Sequence, residues 1–175
     1  IGLGGTFAPW VGALVKDIHQ PILLVVPDEM QKETIIRLSR VGFDNVLGYL
    51  QGGFESWEAS GKEVDTLQSV SAEVLAQQLD KDALVFDVRK PGEYAAEHIE
   101  NVTSTPLDFL NDHLTEFPTN KDFYVHCAGG YRSVIAASIL KARGFRKVID
   151  VAGGYGAIKE TGIKRTQATA CSNSK

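Results

Sequence analysis

The stretch Phe123-Tyr124-Val125-His126-Cys127-Ala128-Gly129-Gly130-Tyr131-Arg132-Ser133 has the pattern of a buried strand, a glycine-rich turn and the start of a helix. Its first four residues are bulky and favour a short strand. The helix is predicted over Ser133 to Arg143, because the residues are mostly apolar and Gly144 can take the left-handed angles that end a helix. Val148-Ile149-Asp150-Val151 then predicts a second strand. A strand, a helix and a strand in this order predict neighbouring parallel strands.

Further elements of the same kind are predicted upstream of this stretch. A helix over Ser71 to Asp80 leads into a strand over Ala83 to Phe86. One or two helical turns are predicted over Glu93 to His98, and another helix over Pro106 to Leu114. Strands that alternate with helices predict an α/β fold, in which helices cover both faces of a parallel sheet.

The chain contains the same pattern twice. The first copy has Gly42-Phe43, Val46, Gly52-Gly53-Phe54 and Gly61, and the second has Gly144-Phe145, Val148, Gly153-Gly154-Tyr155 and Gly162. The two series differ by a slip of a single residue between the strand and the Gly-Gly pair. Such self-similarity predicts two structural units.

The first copy predicts its own strand, helix and strand. Ile22 to Val26 has the apolar, β-branched composition of a strand buried on both faces. Asp28 and Gln31 predict a capping box for a helix that ends at Val41. Val46 to Leu50 is the predicted second strand.

The predicted division is a first domain over residues 1–64, a second domain over residues 65–163 and a polar tail over residues 164–175. The polar stretch Lys62 to Val70 is the predicted boundary. The first domain has no counterpart of the helix and strand at Ser71 to Arg89, so its parallel sheet is expected to be truncated. We therefore expect the chain to be an excerpt of a longer protein.

Composition and charge narrow the classes of partner. The chain is 43% hydrophobic with a net charge of −4, and no Lys or Arg cluster follows a helix face, so no nucleic-acid partner is expected. Its apolar runs are far shorter than the roughly 20 residues that span a membrane. The two cysteines, Cys127 and Cys171, form no Cys-x-x-Cys pair, and the four histidines show no ligand spacing, so neither a metal nor another cofactor is expected. Sparse cysteine predicts a cytoplasmic location, and Cys171 lies in the polar tail.

The candidate reactive residue is Cys127, at the carboxyl end of a predicted strand, where open α/β sheets bind ligands. Gly129 and Gly130 allow successive backbone N–H groups to turn inward and form an anion cradle, together with the positive end of the next helix. Arg132 adds a positive charge. A Cys127 thiolate would be stabilised there without a neighbouring base.

The alternative is that Cys127 is a small buried apolar residue, which is common for a free cysteine. The two glycines and Arg132 favour the nucleophile. Asp87 and Arg89 follow the neighbouring strand and are predicted to brace the loop. His126 is expected to point to the opposite face from Cys127 because side chains alternate along a strand.

The second domain resembles the rhodanese family along its whole length. The resemblance lies in Asp87-Val88-Arg89, Glu93-Tyr94, His98-Ile99, the loop from Cys127 to Ser133, Gly144-Phe145 and Gly153-Gly154, in the family's order. The first domain resembles the same module with Val25 or Val26 in place of Cys127. The resemblance implies two rhodanese-like domains, of which the second is catalytic.

The resemblance also implies roles within the loop. Cys127 would carry the sulfur, Arg132 would assist it, and the remaining loop residues would bind substrate: Ala128, Gly129, Gly130, Tyr131 and Ser133. Four residues separate Cys127 from Arg132, as in the family's sulfurtransferases, whereas related phosphatases have five.

The implied activity is transfer of a sulfane sulfur from thiosulfate or a low-molecular-weight persulfide to a thiol or cyanide through a Cys127 persulfide. A non-catalytic persulfide-binding or sensing module remains an alternative, as does a phosphatase or arsenate reductase on the same fold. The segment Gly5 to Gly12, followed by two such domains, also resembles the carboxyl-terminal part of fusions in which a metallo-β-lactamase-fold hydrolase or persulfide dioxygenase precedes tandem rhodanese domains.

Overall fold

The computed structural model describes residues 1–79 and 82–167. The chain divides into two compact units, the first from Ile1 to Thr66 and the second from Leu67 onward. The division falls two residues after the boundary predicted from the sequence.

The second unit has the α/β fold that the sequence predicts, and its sheet has five strands. The strands are β3 (Gln68–Val70), β4 (Leu84–Asp87), β6 (Thr103–Ser104), β7 (Phe123–His126) and β8 (Val148–Val151). All neighbouring strands are parallel, in the order β3-β8-β7-β4-β6. The helices are α4 (Ala72–Leu79), α5 (Pro91–Ala96), a 3₁₀ helix (Leu107–Glu116), α6 (Tyr131–Ala142) and α7 (Gly154–Lys159).

Both faces of the sheet are packed. The central strand β7 is buried at all four positions. On one face, Tyr124 and Ile149 join an apolar cluster that includes Leu75 of α4 and Ile158 of α7. Phe123, whose side chain alternates with that of Tyr124, lies within 5.6 Å of the Phe86 ring, measured between ring centroids. The parallel strands therefore present their carboxyl ends together at one edge of a sheet that is packed on both faces.

The elements of the second unit that differ from the prediction include the 3₁₀ helix, predicted as a helix over Pro106 to Leu114, and three strands. The predicted boundary segment Lys62 to Val70 contains β3, a polar edge strand that the apolar pattern could not reveal. The helical turns predicted up to His98 end at Ala96, and Glu97–Ile99 forms β5 instead. β5 pairs antiparallel with β9 (Arg165–Gln167), so the unit continues into the segment predicted to be a polar tail. Cys171 lies outside the described residues.

The first unit contains a two-stranded parallel sheet and three helices. Its elements are α1 (Phe7–Leu14), β1 (Ile22–Leu24), α2 (Gln31–Ser39), β2 (Val46–Tyr49) and α3 (Gly53–Ala59). Its buried core consists of Phe7, Val11, Leu24, Leu38 and Phe43.

Two predictions for the first unit are wrong. β1 is not buried on both faces: Leu24 is buried, whereas Leu23 is 74% exposed and Val25 is also exposed. The reason is that the described core of this unit covers only one face of β1. Asp28 does not cap α2 either, because Glu29 adopts a left-handed φ of 74° and the helix begins only at Gln31.

Candidate active site

Cys127 directly follows β7, at the carboxyl edge of the sheet. Gly130 adopts a φ of 102°, in the left-handed region that glycine tolerates, and the chain turns there into α6. The helix begins at Tyr131, two residues earlier than predicted, because this turn brings the chain into helical geometry at once. Arg132 therefore lies in the first turn of a helix.

The loop is closed around the sulfur of Cys127. The Gly130 N–H donates a hydrogen bond to Cys127 Sγ at 3.2 Å, and the Ser133 hydroxyl donates one to the Gly130 carbonyl at 3.1 Å. Cys127 is 1% exposed, whereas Ala128 and Gly129 are exposed. The N-terminus of α6 carries the positive end of the helix dipole. The residues predicted to form the cradle are thus brought together in one turn.

The loop also rests on the Gly153-Gly154 turn. The Tyr155 N–H donates to the Cys127 carbonyl at 2.6 Å. Gly154 has a φ of 55°, and a Cβ atom there would lie 2.4 Å from the Cys127 carbonyl oxygen. The second glycine pair of the repeat therefore allows the backbone of α7 to support the Cys127 backbone.

Arg132 is held by Glu93, an acidic residue for which the sequence predicts no role in the site. Its Nη1 and Nη2 donate to Glu93 Oε2 and Oε1 at 2.5 and 2.8 Å. Hydrogen bonding from Arg132 outweighs partial burial and lowers the pKa of Glu93 from 4.5 to about 2. The pKa of Arg132 is raised, first by Glu93 and in smaller part by the neighbouring Cys127 sulfur.

The helix α5 fixes the position of Glu93. Pro91 is the first residue of α5, which suits a position whose N–H has no helical partner. Glu93 Oε2 accepts a hydrogen bond from the Lys90 N–H at 3.1 Å, so the same carboxylate caps α5 and pairs with Arg132. Glu93 and Arg132 are 39 residues apart, and no local pattern links them.

Asp87 and Arg89 form a buried ion pair beside the loop. Arg89 Nη2 donates to Asp87 Oδ2 at 2.6 Å, and Arg89 Nε donates to the same oxygen at 2.8 Å. The Arg89 guanidinium lies 3.8 Å above the centre of the Tyr155 ring. Since the Tyr155 N–H holds the Cys127 carbonyl, the ion pair contacts a residue that is bonded to the loop, and this is where the sequence predicts a brace.

His126 is fully buried next to Cys127, but its ring contacts other groups. Nδ1 lies 3.4 Å from the Cys127 carbonyl, and Nε2 lies 3.9 Å from Asp87 Oδ2. Burial lowers the pKa of His126, against the opposing effect of Asp87. These contacts place His126 in the supporting network, not in contact with the sulfur.

The described residues 1–79 and 82–167 contain no group of three or more His, Cys, Asp or Glu side chains that could hold a metal ion. Within the same ranges, no helix combines the length and the apolar character that crossing a membrane requires.

Two features of the backbone around Cys127 recur in the first unit. Leu24 pairs with Tyr49 as Val125 pairs with Asp150, and this register aligns Val26 with Cys127. A Cβ atom at Gly53 would lie 2.8 Å from the Val26 carbonyl oxygen. In the second unit, a Cβ atom at Gly154 would collide with the Cys127 carbonyl oxygen in the same way. Of the two positions left open by the sequence, the geometry therefore selects Val26.

The loop after Val26 contains a strained residue. Glu29, three residues after Val26, has a φ of 74° at the position where Gly130 follows Cys127. A residue with a Cβ atom pays roughly 1–2 kcal/mol for left-handed angles, and glycine does not. Glu29→Gly is therefore expected to raise the free energy of unfolding of the first unit by about 1 kcal/mol.

Urea denaturation followed by tryptophan fluorescence measures this effect specifically, because both tryptophans, Trp10 and Trp57, lie in the first unit. Glu29→Ala is the control, since it removes the same charge but keeps a Cβ atom. Equal stabilisation by both substitutions would show that charge, not backbone strain, is responsible.

The family model of the rhodanese-like domain matches residues 71–161 of this chain. The chain is 34% identical over 99 residues to the "Putative sulfur carrier protein YrkF" of Bacillus subtilis, covering 55% of this chain and 54% of that protein. It is 29% identical over 90 residues to a sulfurtransferase of Allochromatium vinosum, covering 50% of this chain and 84% of that protein. The crystal structure of a rhodanese-like domain protein from Staphylococcus aureus matches with a TM-score of 0.52 and 31% identity, over 56% of this chain and 97% of that one. The chain belongs to the rhodanese-like domain family.

Proposed function

We propose that the second unit transfers a sulfane sulfur from thiosulfate or a low-molecular-weight persulfide to a thiol or cyanide, through a persulfide on Cys127. The observation that carries the proposal is the Gly130 N–H donating to Cys127 Sγ at the start of α6, with Arg132 beside it. These groups stabilise negative charge on sulfur, which this reaction needs at every stage.

The reaction has two displacement steps. The Cys127 thiolate attacks the outer sulfur of thiosulfate, a new S–S bond forms, and the original S–S bond breaks with its electron pair leaving on sulfite. An acceptor thiolate or cyanide then attacks the outer sulfur of the Cys127 persulfide. The Cys127 thiolate leaves and is regenerated, so no oxidant, reductant or metal is consumed.

The geometry suits a small sulfur atom at the end of a donor. With Cys127 1% exposed, a donor must present its terminal sulfur end-on, past the exposed backbone of Ala128 and Gly129. The loop's backbone N–H groups can bind the anion that forms there. The ring nitrogens of His126 lie near the Cys127 carbonyl and Asp87 and make no contact with Sγ, so the proposal relies on a stabilised thiolate and not on a general base.

A second candidate is a sulfur carrier that holds the persulfide without rapid turnover. The similarity to YrkF, which is named as a putative sulfur carrier protein, favours this candidate. The two functions share the loaded state of Cys127 and differ in the rate at which an acceptor discharges it.

Intact mass spectrometry after incubation with thiosulfate tests both candidates. One added sulfur atom is expected on the wild type, and steady-state production of thiocyanate from cyanide identifies the enzyme. Loading without turnover would indicate the carrier. No loading, together with hydrolysis of a generic phosphate ester or reduction of arsenate, would overturn the proposal in favour of the remaining alternative.

We further propose that the first unit is a degenerate rhodanese-like domain that lacks a reactive residue. Its aligned position is Val26, and the loop that follows, Pro27-Asp28-Glu29, contains no glycine and two acidic residues. Proline has no N–H to donate, and the carboxylates would repel an anion. The preceding metallo-β-lactamase-fold domain and the cytoplasmic location stay predictions from the sequence.

Val26→Cys is therefore expected to create no second sulfur-loading site. The substitution is best made in a Cys127→Ser background, so that any sulfur gained on incubation with thiosulfate reports on position 26. The Cys127→Ser protein alone is the control for Cys171. Gain of one sulfur by the double variant, but not by the control, would contradict the assignment of the loop.

A further inference from the structure

The charge of Arg132 beside Cys127 is already balanced. Both of its terminal nitrogens are bound by the Glu93 carboxylate, and the two side chains are only 14% and 37% exposed. The low pKa of Glu93 keeps this carboxylate ionised throughout the neutral range, so the pair stays intact there. The Arg132 guanidinium, which the sequence predicts to attract an anionic donor, is thus neutralised by Glu93 of α5.

The other arginine of the site is balanced in the same way. Arg89 is paired with the buried Asp87 and does not add an uncompensated charge. Backbone N–H groups, the positive end of α6 and the contact of Arg132 with the Cys127 sulfur still attract an anion, and all of them act at short range. Such a short-range field stabilises charge on the reacting sulfur more than it attracts a second charge elsewhere on the donor.

We propose that Glu93 is a specificity-determining residue that, by neutralising Arg132, directs Cys127 towards organic persulfides, which bring at most one charge at sulfur, and away from the thiosulfate dianion. This inference rests on the proposed sulfurtransferase function. It differs from a purely structural role for Glu93 in predicting a change in donor preference when only the charge of the side chain is removed.

Glu93→Gln is the appropriate variant, because glutamine keeps the shape and one oxygen that can accept from the Lys90 N–H or from Arg132. The measurement is kcat/KM for thiosulfate and for the persulfide of 2-mercaptoethanol, which carries no charge other than that on sulfur. The ratio of thiosulfate to persulfide is expected to rise on the order of tenfold, mainly through a lower KM for thiosulfate. This gain should weaken with added salt.

Two matched variants locate the effect. Glu97→Gln removes an equal charge from a glutamate of the same unit that pairs with Lys159 and Arg165 instead of Arg132, and should leave the ratio unchanged. Glu93→Gln in an Arg132→Gln background should also leave it unchanged, because the effect of Glu93 acts through Arg132. A comparable shift in either variant would overturn the proposal.

A second readout does not depend on sulfur transfer. It is the rate at which iodoacetamide alkylates Cys127, measured as a function of pH and corrected for Cys171 with the Cys127→Ser protein. Alkylation should begin at a lower pH in Glu93→Gln than in the wild type. Glu93→Gln that is folded, as judged by thermal unfolding, yet unchanged in both donor ratio and alkylation profile would refute the role of Glu93 alone. A wild type that accepts sulfur from neither donor would instead refute the proposed function, and the inference with it.

Discussion

Cys127→Ser is expected to abolish sulfur loading and to lower sulfur transfer by on the order of a thousandfold or more, to the level without protein. A serine hydroxyl cannot form a persulfide, and His126 contacts the Cys127 carbonyl and Asp87 instead of the side chain at position 127. The fold should survive, because serine is nearly isosteric and its oxygen can accept the hydrogen bond that the Gly130 N–H now donates to Sγ. The free energy of unfolding is expected to change by no more than about 1 kcal/mol.

Intact mass and thiocyanate production measure this loss, and Cys171→Ser is the matched control. The control should load one sulfur and turn over as the wild type does. Residual transfer by Cys127→Ser that disappears when Cys171 is also replaced would assign the reaction to Cys171. In that case, the activity lost in Cys127→Ser would not be evidence that the loop around Cys127 binds the reacting sulfur.

The part of the fold that surrounds Cys127 could be predicted because its signals are local. A compact run of bulky residues specifies β7, and the glycines that follow permit the left-handed turn at Gly130. Gly144 ends the predicted helix with a φ of 95°, as expected for a helix terminus. The position of Cys127 follows from these neighbours alone, since the carboxyl ends of parallel strands meet at one edge.

The features that escaped prediction depend on contacts between distant residues. Glu93 and Arg132 meet only because α5 and α6 begin at the same edge of the sheet, and neither residue's neighbours indicate the other. β3 is polar and lies at the sheet edge, so it lacks an apolar signature. The turn at Glu29 runs against residue preference, because left-handed angles are unfavourable for glutamate.

The largest effect on stability is expected for Asp87→Asn. Asp87 is fully buried, and Arg89, only 5% exposed, directs three hydrogen bonds from its side chain to the carboxylate. Asparagine would leave the buried guanidinium without a counter-charge, and its amide would turn N–H groups towards other donors. Removing one partner of a buried ion pair destabilises a protein by about 3–5 kcal/mol, so the free energy of unfolding of the second unit should fall by about that amount.

Hydrogen exchange of the β4 and β7 amides, measured at increasing urea concentration, reports on unfolding of the second unit. Tryptophan fluorescence does not, since neither tryptophan lies in this unit. The control is the double variant Asp87→Leu with Arg89→Met, which removes both charges. It should be more stable than Asp87→Asn, because replacing a buried pair by apolar residues is often nearly neutral.

If the main role of the pair is to support the loop, Asp87→Asn should retain kcat/KM within about tenfold at temperatures where it remains folded. A larger loss of activity in a folded, stable Asp87→Asn protein would instead assign Asp87 a direct part in the chemistry. A fall in stability below about 1 kcal/mol would show that solvent reaches the pair, and that Tyr155 holds the Cys127 carbonyl without help from Arg89.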